Sequence, residues 1–177
     1  MKNIPNILTT FRILLIPFYL IAVMNGQRIT AGVILIISGL TDLLDGFLAR
    51  RFNWITNLGK LLDPLADKLT QTAISLSFIF LFKKYVFYFW VILIKDALLL
   101  LGSYYSYRKN ITISSAQWFG KIATFSFYIT MICIILIPNL SDVIKSSLLT
   151  LVVILSIFAM VMYVPIFFTN AKTVKPS

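Results

Sequence analysis

Apolar residues fall in six long runs, at roughly 7–25, 29–48, 60–82, 85–105, 117–138 and 146–169, with short polar connections between them. A helix needs about 20 mainly apolar residues to cross the hydrocarbon of a bilayer, and each run supplies about that many. The pattern predicts an all-α integral membrane protein of six transmembrane helices, with no room for a separate soluble domain and residues 1–177 forming one membrane domain. The first run follows Lys2 and invites reading as a secretory signal. It contains Arg12, lacks a small-x-small cleavage pattern and precedes five further runs, so it is retained as a span. An even number of spans puts both termini on one side. That side carries Lys2, Arg50, Arg51, Arg108, Lys109, Lys172 and Lys175, and the other carries Arg28, Lys83, Lys84 and Lys145. The excess of basic residues predicts cytoplasmic termini for a multi-pass protein of the cell (inner, cytoplasmic) membrane.

Composition narrows the chemistry. Apolar residues make up 59% of the chain and charged ones 12%, against about 25% charged in an ordinary soluble domain. A water-soluble globule is excluded. The chain has no His, and its six acids are all Asp, so any reaction proceeds without an imidazole or Glu base. The single Cys133 excludes an internal disulfide and a Cys-based zinc cluster, and reads as a buried thiol. The net charge of +10 is scattered through short connections and is not interleaved with aromatics in a polar segment. Membrane topology and anionic headgroups account for it, and nucleic acid is not an expected partner. Trp90 and Trp118 suit interfacial anchoring.

Four of the six acids, Asp42, Asp45, Asp63 and Asp67, lie at the end of the second run and the beginning of the third. Spacings of three and four put each pair on one helix face. Carboxylates near hydrocarbon are costly, and four unpaired ones repel, which makes a bound divalent cation the natural resolution. With oxygen donors and no His or Cys nearby, the hard ions Mg2+, Mn2+ or Ca2+ fit better than Zn2+. Between the acids, Gly46, Ala49 and Gly59 allow close approach, and Arg50 offers a planar fork suited to phosphate. Together these suggest pyrophosphate chemistry. Pro64 either sits in the first turn of the third helix with Asp63 as its cap or lies inside a helix begun earlier.

The spacing Asp42, Asp45, Gly46, Ala49, Arg50, Gly59, Asp63, Asp67 resembles the CDP-alcohol phosphotransferase signature, D-x2-D-G-x2-A-R-x8-G-x3-D-x3-D, at every fixed position. The six-run layout and the opening P-N-I-L-T-T-F-R resemble the same family. The resemblance implies transfer of a phosphatidyl group from a CDP-linked lipid to an alcohol, with release of CMP. It implies Asp42, Asp45 and Asp63 as ligands of Mg2+ or Mn2+, and Asp67 as general base and further ligand. Gly46, Ala49, Arg50 and Gly59 match positions lining the CDP moiety. It also implies a helix bundle with a polar cavity open to the cytoplasm and the inner leaflet, and a homodimer. Arg12 is either an interfacial anchor that snorkels to the headgroups or, with Asn6 and Thr9, part of a polar entrance near the nucleotide.

Lys95 and Asp96 fall near the middle of the fourth run, where charge is expensive unless paired or facing water. They either neutralise each other or resemble the basic-acidic pair of relatives that use glycerol 3-phosphate or phosphatidylglycerol. Arg108 and Lys121 are read either as positive-inside residues or, with Lys95, as ligands of an acceptor phosphate. The expected partners are CDP-diacylglycerol, a phosphorylated alcohol and membrane lipids. The preferred acceptor is sn-glycerol 3-phosphate, because P-N-I-L-T-T-F-R and G-K-L-L-D-P-L-A-D-K resemble bacterial phosphatidylglycerophosphate synthases. The alternative is a cardiolipin synthase using CDP-diacylglycerol and phosphatidylglycerol, or another acceptor of the family. A divalent-cation transporter is the alternative of another class, disfavoured because Arg50 would repel a permeating cation and the acids cluster at one connection, away from the midplane.

Overall fold

The computed structural model describes residues 4–52, 54, 59–108 and 118–169. Among them the chain forms six α-helices: α1 (Ile4–Met24), α2 (Arg28–Arg51), α3 (Gly59–Leu81), α4 (Val86–Arg108), α5 (Trp118–Leu136) and α6 (Asp142–Thr169). A short 3-10 turn, Lys83–Tyr85, precedes α4. Five of the six helices are long and apolar enough to cross a membrane. The exception is α3, whose first ten residues carry Lys60, Asp63, Asp67 and Lys68. Large apolar side chains such as Ile7, Phe18, Phe80, Phe87 and Phe125 are exposed, as lipid-facing positions are.

The chain divides into two compact units, Met1–Lys83 with Met131–Asn139, and Lys84–Thr130 with Leu140–Ser177. In the first unit α1 packs on both α2 and α3. The link from α1 to α2 is a tight reversal. Gln27 N–H donates to Ala22 O at 2.8 Å and Gly26 N–H to Val23 O at 3.0 Å, and Gly26 takes φ +70°. This is the glycine-terminated helix end in which a left-handed residue closes the last turn. The reversal sets the register of the hairpin: Arg12 lies twelve residues before the end of α1, and Asp42 fourteen after the start of α2. The two therefore face each other at similar depth.

The interior of this unit follows helical spacing. Pro5, Thr9, Arg12, Tyr19, Ala22 and Val23 are the buried stripe of α1. Ala31, Leu35, Ser38, Thr41 and Asp45 are buried on α2, and Ala66, Thr70, Ala73, Ile74, Ser77 and Phe78 on α3. Gly32 lets α2 approach the end of α5, since a Cβ there would fall 2.3 Å from Leu136 Cδ2. Pro64 lies inside α3, so the helix begins earlier, at Gly59, and Asp63 is not its cap.

In the second unit α4 packs on α6. At their starts, Lys84 Nζ and Tyr85 OH donate to the two oxygens of Asp142, at 2.6 and 2.8 Å. The α6 helix starts at Asp142, ahead of the apolar run, because Ser141 Oγ accepts the N–H of Ile144 and Asp142 sits in the first turn, where a carboxylate is favoured. Phe119, Ala123 and Ala159 form a core with Leu155 and Tyr163 against it, and the rings of Phe119 and Tyr163 meet edge to face at 4.9 Å.

Candidate active site

The site is assembled where α1 meets the acidic ends of α2 and α3. Arg12 is fully buried. Its Nη1 lies 2.5 Å from Asp42 Oδ1, and its Nη2 pairs with Asp45 Oδ2. One guanidinium thus spans both members of the first acidic pair, as a planar fork can. Full burial overturns Arg12 as a snorkelling anchor, because its charge is met by carboxylates inside the unit.

Thr9, one turn earlier on the same face, carries the connection to α3. Its Oγ1 lies 2.8 Å from Asp63 Oδ1, 3.2 Å from Asp45 Oδ2 and 3.0 Å from Pro5 O. A hydroxyl has one proton for these three acceptors. The shortest contact, to Asp63, claims it best, and Asp45 Oδ2 keeps its pairing with Arg12. Asp42, Asp45 and Asp63 are therefore gathered by one arginine and one threonine of α1. Asp45 is buried, while Asp42, Asp63 and Asp67 are half-buried.

The small residues of the motif lie on the same two helices as the acids. Gly46 and Ala49 are half-buried, one turn apart on α2, and Gly59 is buried at the start of α3. Arg50 belongs to α2, but its side chain lies outside the described residues, as does that of Arg108 at the end of α4. Asn6 is half-buried on α1, and its carbonyl accepts from Thr10 Oγ1 at 2.8 Å. Lys68 Nζ donates to Gln71 Oε1 at 3.3 Å.

The donor set suits a hard cation, because three carboxylates from two helices converge with only oxygen atoms to offer. Among the described residues no three acids stand as a ready-made metal cage; their oxygens are turned onto Arg12 and Thr9.

In the second unit Lys95 and Asp96 pair at 2.8 Å, and both are buried in α4. Lys121 is exposed near the start of α5. The two charges meet each other, the first of the two readings given for them.

Several polar residues of the first unit were not singled out from sequence. Ser38 and Thr70 line, with Arg12, Tyr19 and Leu35, a cavity of about 10 Å³. Tyr19 OH and Ser77 Oγ lie 2.8 Å apart; Ser77 donates to Ile74 O, so the tyrosine is the donor between them. The signal that finds α2's share is spacing: Ser38, Thr41, Asp42 and Asp45 follow an i, i+3, i+4, i+7 pattern, one polar stripe on an apolar helix.

Comparison with known proteins identifies the family. The family model described as CDP-alcohol phosphatidyltransferase matches residues 2–169. A CDP-diacylglycerol--glycerol-3-phosphate 3-phosphatidyltransferase of Aquifex aeolicus is 34% identical over 124 residues, covering 69% of each chain. The protein of that name from Shigella flexneri serotype 5b is 28% identical over 179 aligned positions, covering 91% of this chain and 92% of its own. The one from Escherichia coli K12 is 45% identical over 69 residues, covering 37% of this chain and 38% of its own. With three of the four motif aspartates gathered against its first helix and a family match over nearly its whole length, this chain belongs to the CDP-alcohol phosphatidyltransferase family.

Proposed function

We propose that the protein transfers the phosphatidyl group of CDP-diacylglycerol to sn-glycerol 3-phosphate, releasing CMP and forming phosphatidylglycerol phosphate. The observation that carries the reading is the convergence of Asp42, Asp45 and Asp63 on Thr9 and Arg12, within the full motif. The names of the relatives support the acceptor.

Asp42, Asp45 and Asp63, with Asp67 as a further donor, would hold Mg2+ or Mn2+. The bound cation supplies neutralisation of the pyrophosphate charge and stabilises the departing CMP. The acceptor hydroxyl attacks the phosphorus that bears the diacylglycerol, the bond from that phosphorus to the bridging oxygen breaks, and CMP leaves with that oxygen. Asp67 takes the hydroxyl proton; it stands one turn beyond Asp63 on α3 and keeps part of its surface accessible. Gly46, Ala49 and Gly59 leave room beside the CDP moiety, and Arg50 offers its fork to a phosphate. Asn6, Thr9 and Arg12 complete the nucleotide end from α1. On the acceptor side, Lys95, Arg108 and Lys121 are the cations for the glycerol 3-phosphate phosphate.

In this reading all six helices span the inner membrane as one domain, both termini are cytoplasmic, the polar cavity opens to the cytoplasm and inner leaflet, and two copies form a homodimer. The charged start of α3 then lies at the cytoplasmic surface and its apolar remainder in lipid. The test uses purified protein in detergent with CDP-diacylglycerol and Mg2+ or Mn2+, scoring CMP and lipid product. Glycerol 3-phosphate, phosphatidylglycerol, inositol phosphate and serine are offered in turn. Selective turnover with glycerol 3-phosphate is the expected result. Turnover with phosphatidylglycerol instead moves the assignment to cardiolipin synthesis, and CMP release with none of them contradicts it.

A further inference from the structure

Arg12 is fully buried against the acids. A buried guanidinium is costly unless its charge is matched, and two carboxylates one turn apart are costly unless a cation lies between them. Arg12 meets both needs by pairing with Asp42 and Asp45. The match is one of charge more than of complete hydrogen bonding. Its Nε has no hydrogen-bond partner among the described residues, and its Nη1 meets Asp42 as an ion pair without the geometry of a hydrogen bond. Arg12 also borders the small cavity beside Ser38, whose Oγ is likewise without a partner among the described residues. A guanidinium locked in place for structure alone would have its donors met. One oxygen of each of three aspartates, Asp42 Oδ1, Asp45 Oδ2 and Asp63 Oδ1, is engaged by α1.

We propose that Arg12 is a resident counter-cation of the aspartate site. It holds Asp42 and Asp45 together while no metal is bound, and gives up their oxygens when a divalent cation arrives. Arg12 is thus a positioning residue, and the setting of α1 is coupled to metal occupancy. This rests on the reading of the aspartates as metal ligands. Two cations competing for the same oxygens have a defined consequence. Removing the arginine charge tightens metal binding and weakens the metal-free protein.

The experiment measures Mn2+ binding to the full-length protein in detergent by electron paramagnetic resonance of the free ion. Thermal unfolding is recorded beside it in EDTA and in saturating Mn2+. Wild type, Arg12→Gln and Arg12→Lys are compared; Gln keeps an N–H donor without the charge, and Lys keeps the charge without the fork. Arg12→Gln is expected to bind Mn2+ about tenfold tighter than wild type and to melt lower in EDTA, with Mn2+ closing most of that gap. Arg12→Lys is expected to stay within about threefold of the wild-type affinity. Recovery of folded Arg12→Gln only when Mn2+ is present throughout purification supports the proposal as well. Unchanged or weaker Mn2+ binding in folded Arg12→Gln overturns it, as does a variant that unfolds equally with and without Mn2+. Wild type that binds no Mn2+ would remove the metal-ligand reading itself, before any variant is compared.

Discussion

In the unit built from α1, α2 and α3, buried charges run between helices. Arg12 of α1 holds Asp42 and Asp45 of α2, and Thr9 of α1 reaches Asp63 of α3. In the unit built from α4, α6 and most of α5, the buried pair is Lys95 with its chain neighbour Asp96. An ion pair between helices fixes their register, whereas a pair between neighbours fixes the charge of one helix. The second unit shows its helix-to-helix fit in packing instead: Phe119, Ala123 and Ala159 form a core, and a Cβ on Gly120 would fall 2.8 Å from the Tyr163 hydroxyl. The comparison teaches that the first unit is organised around a polar site and the second around close apolar contact. The proposed bond-breaking chemistry uses the residues of the first.

The contrast can be broken most directly at Asp45, the one buried aspartate of the motif. Asp45→Asn removes a charge that α1 is built to face, and CMP release is expected to fall by about 10³-fold or more. A steady-state assay with the folded variant checks this. Next in size is Lys95→Met, which strands the buried Asp96 carboxylate and is expected to cost about 3–5 kcal/mol. Adding Asp96→Leu should recover most of that loss in a detergent melt, since a pair within one helix can be exchanged for apolar packing.

Smaller effects sharpen the packing side. Gly32→Ala overpacks the contact with Leu136 and is expected to cost about 1–3 kcal/mol. The cost should be smaller for Gly120→Ala, where the tip of Tyr163 can swing away. Smallest is Tyr19→Phe, which deletes the donor to Ser77 for about 1 kcal/mol. Thermal unfolding of the three variants side by side should return this order.

Much of this was legible in the sequence, for physical reasons. Six apolar runs became six helices because length and hydropathy leave a membrane chain few other solutions. The four motif aspartates stood out because charge is rare in such a chain, and the structure gathers three of them. Helix ends were less legible. The start of α6 at Asp142 depends on the Ser141 cap, which hydropathy alone passes over. Likewise α3 begins at Gly59 and carries Pro64 inside, a choice set by its packing on α1. The destination of Arg12 was legible only as one of two readings, an anchor at the headgroups or, with Asn6 and Thr9, part of a polar entrance near the nucleotide. Its pairing with Asp42 and Asp45 is a tertiary contact that the α1–α2 reversal sets up. The Tyr19–Ser77 link is likewise a tertiary pairing, 58 residues apart in the chain.

On the proposed function, the aspartates of the first unit act on the pyrophosphate and Lys95 serves the acceptor's phosphate. The most direct test of this claim is the full kinetic dependence on glycerol 3-phosphate at saturating CDP-diacylglycerol, for Asp63→Asn and for the double variant Lys95→Met with Asp96→Leu. Asp63→Asn is expected to release no CMP at any acceptor concentration, while the double variant keeps a kcat near wild type with a raised KM. Turnover by Asp63→Asn, or a double variant whose kcat collapses while its KM is unchanged, would contradict it.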